Sequence, residues 1–282
     1  MKHWSIPAKT FLVGEYAALL GQSAIILTTN PSFELRQVKE PGLHGIHPQS
    51  PAGRWWTQHP TPSFGLAWHD PYQGLGGLGA SSAQFLGVYQ AWAESQAITI
   101  ETESLLKAYQ SVTSTAGTPP SGYDVLAQWM RGCVYINRQN HTLKTLSTQD
   151  HNTWPFTDIG YILIHTQEKL STHEHLQSLA LSTSMPHLVE LVEHARYAFE
   201  TQSSQDLIMA VQGYHQALSA QGWVAPHTQQ LIQRLNTESQ ALAIKGCGAM
   251  GADVLLLLMR QEEVQSQANH LATTGWQVLT TN

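Results

Sequence analysis

Apolar and polar positions along this chain switch between a period near two and a period near three and a half, and the switches predict its elements. In the first half, short runs rich in β-branched and apolar residues predict strands: TFLVG from Thr10, AIILTT from Ala24, FELRQV from Phe33 and CVYINR from Cys133. Between and after them, SSAQFLGVYQAWA, ESLLKAYQS and DVLAQWM carry helical spacing. Pro41 to Pro62 holds five prolines, three glycines and the pair Trp55 and Trp56 without a stable period, which predicts a long surface loop. Its tryptophans are expected either to close over a site or to anchor the loop to the core.

The second half begins near Trp154. IGYILIHT predicts a strand, and Thr166 to Leu181 a loop and helix. PHLVELVEHARYAF places Leu188, Leu191, Val192 and Ala195 on one helical face, with Pro186 at the start, where a missing N–H does no harm. SQDLIMAVQGYHQAL and PHTQQLIQRL predict two more helices, followed by strands ALAIKGC and DVLLLLM, a polar helix from Gln261 and a last strand, WQVLT. Strands interleaved with helices over 282 residues predict an α+β chain of two domains, 1–153 and 154–282.

Three stretches interrupt these periods with chemistry. They are PAKTFLVGEY (Pro7 to Tyr16), GLGGLGASSAQ (Gly74 to Gln84) and KGCGAMGAD (Lys245 to Asp253). In the second, closely spaced glycines precede Ser81, Ser82 and a helical run, so N–H groups at the helix start can meet an anion, and a polyphosphate is a natural guest. Glycine clusters also make ordinary tight turns. Here no Lys follows in Walker A register, and no acidic residue stands convincingly at Rossmann spacing.

In this order the stretches resemble the motifs of the GHMP kinases, the family of galactokinase, homoserine kinase, mevalonate kinase and phosphomevalonate kinase. Pro7, Lys9, Leu12, Gly14, Glu15, Tyr16 and Gly21 stand in the places of the opening motif PxKxxLxGEY. Pro71, Gly77, Leu78, Gly79, Ser81, Ser82 and Ala83 stand in the places of PxxxGLGSSAA, with Ala80 at a frequent serine and an extra GLG unit ahead of it. SGYDVLAQWMRGCVYI from Ser121 is similar to SGxDxxxxxxGG, which makes Asp124 the matching acid. Lys245, Gly248, Ala249, Gly251 and Asp253 fit the third motif, while Met250 and Ala252 replace glycines.

The resemblance implies a two-domain GHMP kinase fold, with an N-terminal half like domain 2 of ribosomal protein S5 and a ferredoxin-like C-terminal half. It implies ATP and Mg²⁺ as cofactors. Gly76, Gly77, Gly79, Ala80, Ser81 and Ser82 would cradle the triphosphate, and Ser81 or Ser82 would offer a hydroxyl to the metal. Asp124 and Lys9 would form the catalytic pair, base and cation. Lys9, Glu15, Tyr16, Ser121, Gly248 and Ala249 would line the acceptor, with Glu15 supporting Lys9. From the residues alone, Asp124 could be an N-cap or a first-turn acid of its helix, and Lys245 and Asp253 could fasten their loop or touch substrate.

GEYAAL, SGYDV, Asp253 and the segment IHTQEKLSTHEHL are most similar to the phosphomevalonate and mevalonate kinase branch. Phosphomevalonate is the leading acceptor. Its extra phosphate calls for cations, for which Lys9, Arg54, Lys169 and His173 are candidates. Mevalonate is the alternative acceptor, and a GHMP-fold protein that binds a ligand without turning it over is the alternative class.

Composition narrows the partners. A formal charge of −6 with 14 Lys and Arg argues against nucleic acid, so any phosphate-binding charge is local. The longest apolar run, VLLLLM, is strand length and far from a membrane span. MKHWSIPAKTF lacks the apolar core of a signal peptide, and two cysteines are too few for a disulfide framework, so a cytoplasmic monomer or homodimer is expected. Fifteen histidines include the cluster HEH at 173–175, but no zinc spacing accompanies it.

Overall fold

A computed structural model describes residues 1–59, 63–113, 120–146, 154–168 and 185–282. The chain divides into two compact units, one formed by Met1–Lys9 with Thr28–Arg131 and the other by Thr10–Leu27 with Gly132–Asn282. Two long strands contribute to both: β1 (His3–Val13) and β2 (Ala24–Val38). The expected boundary at 153/154 therefore lies inside the second unit. The residues of the first half that follow Arg131 group by contact with the C-terminal half, and so do 10–27.

In the first unit, β2 pairs antiparallel with β4 (Gly65–His69), Leu35 opposite Trp68, and β4 pairs parallel with β3 (Gly42–His44). Four helices accompany these strands: α1 (Pro51–Gln58), α2 (Ala80–Ser95), α3 (Thr102–Thr113) and α4 (Tyr123–Met130). Ile6, Leu35 and Leu66 from the strands and Phe85, Val88 and Leu105 from the helices are fully buried. Helix α2 is buried on most of its surface, Gly87 lying close to Ile6 and Leu35, which explains its apolar composition.

The expected 41–62 loop is corrected here. It contains β3 and the two-turn helix α1, whose start is written as Ser50 followed by Pro51. Ser50 Oγ accepts the Gly53 N–H at 3.1 Å, and Pro51 loses nothing at a first-turn position. Trp55 and Trp56 are buried. Trp55 stacks on His59 and meets Phe85, Tyr89 and Trp92, so it is a core residue of this unit.

In the second unit, β2 continues through Ala24–Leu27 against β5 (Cys133–Asn137), and β5 pairs with β6 (Thr142–Thr145). A separate antiparallel sheet runs in the order β10-β7-β9-β8, with β7 at Ile159–His165, β8 at Ala243–Cys247, β9 at Val254–Arg260 and β10 at Gln277–Thr281. Its helices are α5 (Met185–Thr201), α6 (Ser204–Ala220), α7 (Pro226–Glu238) and α8 (Val264–Thr273). The continuous apolar run VLLLLM follows from burial on both faces of β9. Leu255, Leu257 and Met259 join Ile162 and Ile164 of β7 in one core layer, and Val254, Leu256 and Leu258 are equally buried. Among the described residues no helix is long and apolar enough to cross a membrane. The expected α+β class holds, as two sheets with helices interleaved along the chain.

Candidate functional site

In the first unit, three of the sequence motifs meet. Lys9 is the only charged residue in the buried stretch Ile6–Val13 of β1, and its side chain is 10% exposed. Its Nζ lies 3.2 Å from Asp124 Oδ2, and the carboxylate is about one-third exposed. Asp124 is not the helix cap. Gly122 holds the cap position of α4, and Asp124 stands in the first turn, where the helix dipole favours a negative charge. Ser121 Oγ accepts the Tyr123 N–H at 3.4 Å, which places Ser121 at the entrance to the same turn.

The glycine loop reaches this pair from the other side. The Lys9 N–H donates to the Leu78 carbonyl at 3.0 Å. Gly79 caps α2 in the left-handed region, φ 79°, and a Cβ there would lie 2.8 Å from both Cγ and Cε of Lys9. Any side chain at 79 would displace Lys9 as well as strain the backbone. Upstream, Asp70 accepts the Tyr72 and Gly74 N–H groups, each at 2.8 Å, and fixes the entry to the loop. Gly76 and Gly77 are half-exposed within it.

Helix α2 has no side-chain cap at its N-terminus. The first N–H donated to the Gly79 carbonyl is that of Ala83, at 2.9 Å, so by helix geometry the amides of Ala80, Ser81 and Ser82 have no acceptor within the helix. These amides and the dipole behind them make an anion seat. The two serines differ. Ser82 is buried and its Oγ donates to the Gly79 carbonyl at 3.0 Å, whereas Ser81 is exposed.

Gln128, one helical turn beyond Asp124, was not among the residues picked out from the sequence. Its Nε2 donates to the carbonyls of Pro7 and Gly79 at 2.9 and 3.1 Å. The signal available was a single amide within the apolar helix VLAQWM.

The remaining motif residues belong to the second unit. Glu15, expected to support Lys9, pairs through Oε1 with Lys245 Nζ at 2.7 Å, and the Lys245 side chain is wholly buried. The ammonium also donates to the Gly246 carbonyl at 2.9 Å and lies 5.6 Å from the Tyr214 ring centre. Burial alone would push the Lys245 pKa down, but Cys247 and Glu15 outweigh it and hold the pKa above its ordinary value. Burial and the Lys245 cation push His215 down to about 4.

Tyr16 is buried, donates its hydroxyl to the Trp223 carbonyl at 3.2 Å and accepts the Met250 N–H at 2.9 Å. Its burial raises the phenol pKa, so it remains protonated. Gly248 and the short turn Ala249–Gly251 follow Lys245. Met250 stands at φ 55°, a conformation costing an L-residue roughly 1–2 kcal/mol. The strained turn is held from both sides, since the Met250 carbonyl also accepts the Ala225 N–H at 2.9 Å. Ala252 lies outside the positive-φ residues, so its methyl is accommodated where the motif has glycine.

Of the cations put forward for a phosphorylated acceptor, Arg54 donates from Nη1 to the Val112 carbonyl at 3.3 Å. Lys169, His173 and the HEH cluster lie outside the described residues.

Against solved structures, the chain matches Streptococcus pneumoniae phosphomevalonate kinase with 18% identity and TM-score 0.80, over 100% of this chain and 99% of that one. The same enzyme in complex with phosphomevalonate and AMPPNP matches with 16% identity and TM-score 0.79, over 100% and 99%. Methanococcus jannaschii mevalonate kinase matches with 14% identity and TM-score 0.76, over 100% and 98%. No protein-family model matches the chain, and no curated protein matches it in sequence. The likeness at these identities is one of fold: the chain has the fold of the GHMP kinases.

Proposed function

We propose that this chain is an ATP- and Mg²⁺-dependent GHMP-type kinase that transfers a γ-phosphoryl group to a small acid of the mevalonate pathway. The observation that carries the reading is the Lys9–Asp124 ion pair, 3.2 Å apart, laced to the uncapped start of α2 through Leu78 and Gly79. A phosphoryl transferase needs alignment, neutralisation of spreading charge and a place for one proton, and this cluster offers all three. The fold shared with a phosphomevalonate kinase whose solved complex holds AMPPNP supports ATP as the donor.

The residues fit a magnesium nucleotide. Ala80, Ser81 and Ser82 present amides toward an anion, and the exposed Ser81 hydroxyl is a hard oxygen donor beside them. Ser81 would help hold Mg²⁺, and the metal would supply positive charge against the negative charge that spreads over the phosphates during transfer. In the transfer, an acceptor oxygen forms a bond to the γ-phosphorus as the bridging bond to ADP breaks. With a hydroxyl acceptor the proton passes to Asp124, and Lys9 offsets the charge developing on the oxygen. A phosphate acceptor is largely ionised at neutral pH, so it has no proton to give, and Asp124 would then act by holding the Lys9 ammonium in place for it.

Phosphomevalonate is the leading acceptor on motif resemblance. Mevalonate is the second reading: of the cations put forward for the extra phosphate, Arg54 spends one Nη1 donor on the Val112 carbonyl. ADP release would be measured with Mg²⁺-ATP and, separately, mevalonate, phosphomevalonate, diphosphomevalonate and homoserine. Acceptor-dependent release with phosphomevalonate above mevalonate is expected. Tight nucleotide binding with no acceptor-dependent release would leave a ligand-binding protein.

The serines provide a second test. Ser81→Ala is expected to raise the Mg²⁺ concentration for half-maximal rate about tenfold, the order of effect for loss of one group supporting a metal site. Ser82→Ala should leave that requirement unchanged and cost about 1 kcal/mol of stability, the usual worth of a buried hydrogen bond such as its 3.0 Å contact with the Gly79 carbonyl. Magnesium titration of initial rates would separate the two, and equal behaviour of both variants would place the cation elsewhere.

A further inference from the structure

Gln128 is a buried polar residue whose amide is partnered at one end only, among the described residues. Its Nε2 joins two elements, donating to Pro7 of β1 at 2.9 Å and to Gly79, the cap of α2, at 3.1 Å. Both neighbours are carbonyl oxygens, so the amide can only be oriented with nitrogen toward them. The Gly79 carbonyl already accepts the Ala83 N–H and the Ser82 hydroxyl, so satisfaction of that oxygen does not demand a third donor. The other end of the amide, Oε1, is buried with no hydrogen-bond partner among the described residues. Such acceptors are rare in folded proteins and destabilising, and an apolar side chain of the same length would remove the cost.

What the amide does hold is the spacing of the proposed transfer pair. Gln128 and Asp124 are four residues apart on α4 and therefore share a helical face. Pro7 lies two residues before Lys9, and Gly79 is the residue against which the Lys9 side chain packs. One side chain thus ties the helix carrying Asp124 to the strand and the turn carrying and flanking Lys9. We propose that Gln128 is a positioning residue that sets the Lys9–Asp124 separation and registers both against the start of α2. The proposal rests on the reading of Lys9 and Asp124 as the pair that acts in transfer.

The test is Gln128→Met, alone and with Asp124→Asn, using the full chain. Met fills a similar volume without donors, and the Gly79 carbonyl keeps two of its three donors, so a folded protein is expected. With the best acceptor, kcat should fall about tenfold while KM for both substrates stays within roughly threefold, the pattern of an interaction made in the transition state. In the Asp124→Asn background the same change should cost less than about twofold, because a residue acting through Asp124 has nothing left to place. Equal losses in both backgrounds would mark Gln128 as merely structural, and an unchanged kcat would overturn the proposal outright.

Crystal structures of parent and variant supply the readout that is independent of turnover. The Lys9–Asp124 contact, 3.2 Å in the parent, should open beyond ion-pair range in the variant; an unchanged contact overturns the proposal even if the parent phosphorylates none of the acceptors, a result that would separately sink the kinase reading. If Gln128→Met does not fold, Gln128→Asn, which keeps the amide but shortens its reach by one methylene, is carried through the same measurements with the same deciding outcomes.

Discussion

Asp124→Asn is expected to lower kcat by about 10²-fold or more with a hydroxyl acceptor, while KM for nucleotide and acceptor changes little, because Asn keeps the shape of the side chain and loses the proton-accepting oxygen. The exposed third of the Asp124 carboxylate leaves it accessible to a substrate, and Lys9 lies 3.2 Å from it. Lys9→Met should cost a similar factor. The double variant should lose far less than the product of the single losses, since one proton and one developing charge are served by the pair together. With a phosphate acceptor the Asp124 effect should be smaller, because that oxygen arrives largely ionised. Comparing the two acceptors in one variant therefore reports the chemistry as well as the residue. An Asp124→Asn protein within a few-fold of the parent on every acceptor would reduce Asp124 to a first-turn helix acid and return the chain to the ligand-binding class.

Much of this arrangement could be read from the sequence because it is local. The helix after Gly79, the first-turn position of Asp124 and the apolar strand around Lys9 are short-range patterns with steric causes. The Lys9–Asp124 contact, by contrast, joins positions far apart in the chain, and it was anticipated only through motif resemblance. The helix at Pro51–Gln58 was hidden because five prolines around it read as loop, although Ser50–Pro51 is itself a helix-start signal. AIILTT and FELRQV predict two strands, separated by Asn30 and Pro31, residue types that strands disfavour, yet β2 runs through both. The difference between Ser81 and Ser82 was also illegible, since it depends on which hydroxyl faces back to Gly79. Partner choice among distant charges has no local signature at all, as Glu15 shows: its carboxylate holds a lysine 230 positions away.

That buried pair carries the largest expected effect on stability. Lys245→Met should destabilise the protein by about 3–5 kcal/mol at neutral pH, the range for removing one partner of a buried ion pair. Lys245 has no exposed side-chain surface and Glu15 has 5%, so water cannot replace the lost partner without opening the unit. The loss should propagate to the third glycine turn, which begins at Gly246, whose carbonyl accepts the same ammonium at 2.9 Å. In the parent, the raised Lys245 pKa makes its contribution fully present below the unfolded lysine value and lost as pH rises through the folded one, so the pair should weaken only in strong alkali. In Lys245→Met the direction reverses. Glu15, having lost this cation in its buried position, is expected to hold a proton more readily in the folded state, so the variant should regain stability relative to the parent as pH falls from 8 toward 5. Adding Glu15→Gln should recover much of the loss at pH 8, because a neutral amide is cheaper to bury than a carboxylate. Urea denaturation of the parent, both single variants and the double variant at the two pH values would decide. Additive losses with no pH dependence would show that the pair is not coupled, and that the burial of Lys245 is sustained by the Gly246 carbonyl and the Tyr214 ring instead.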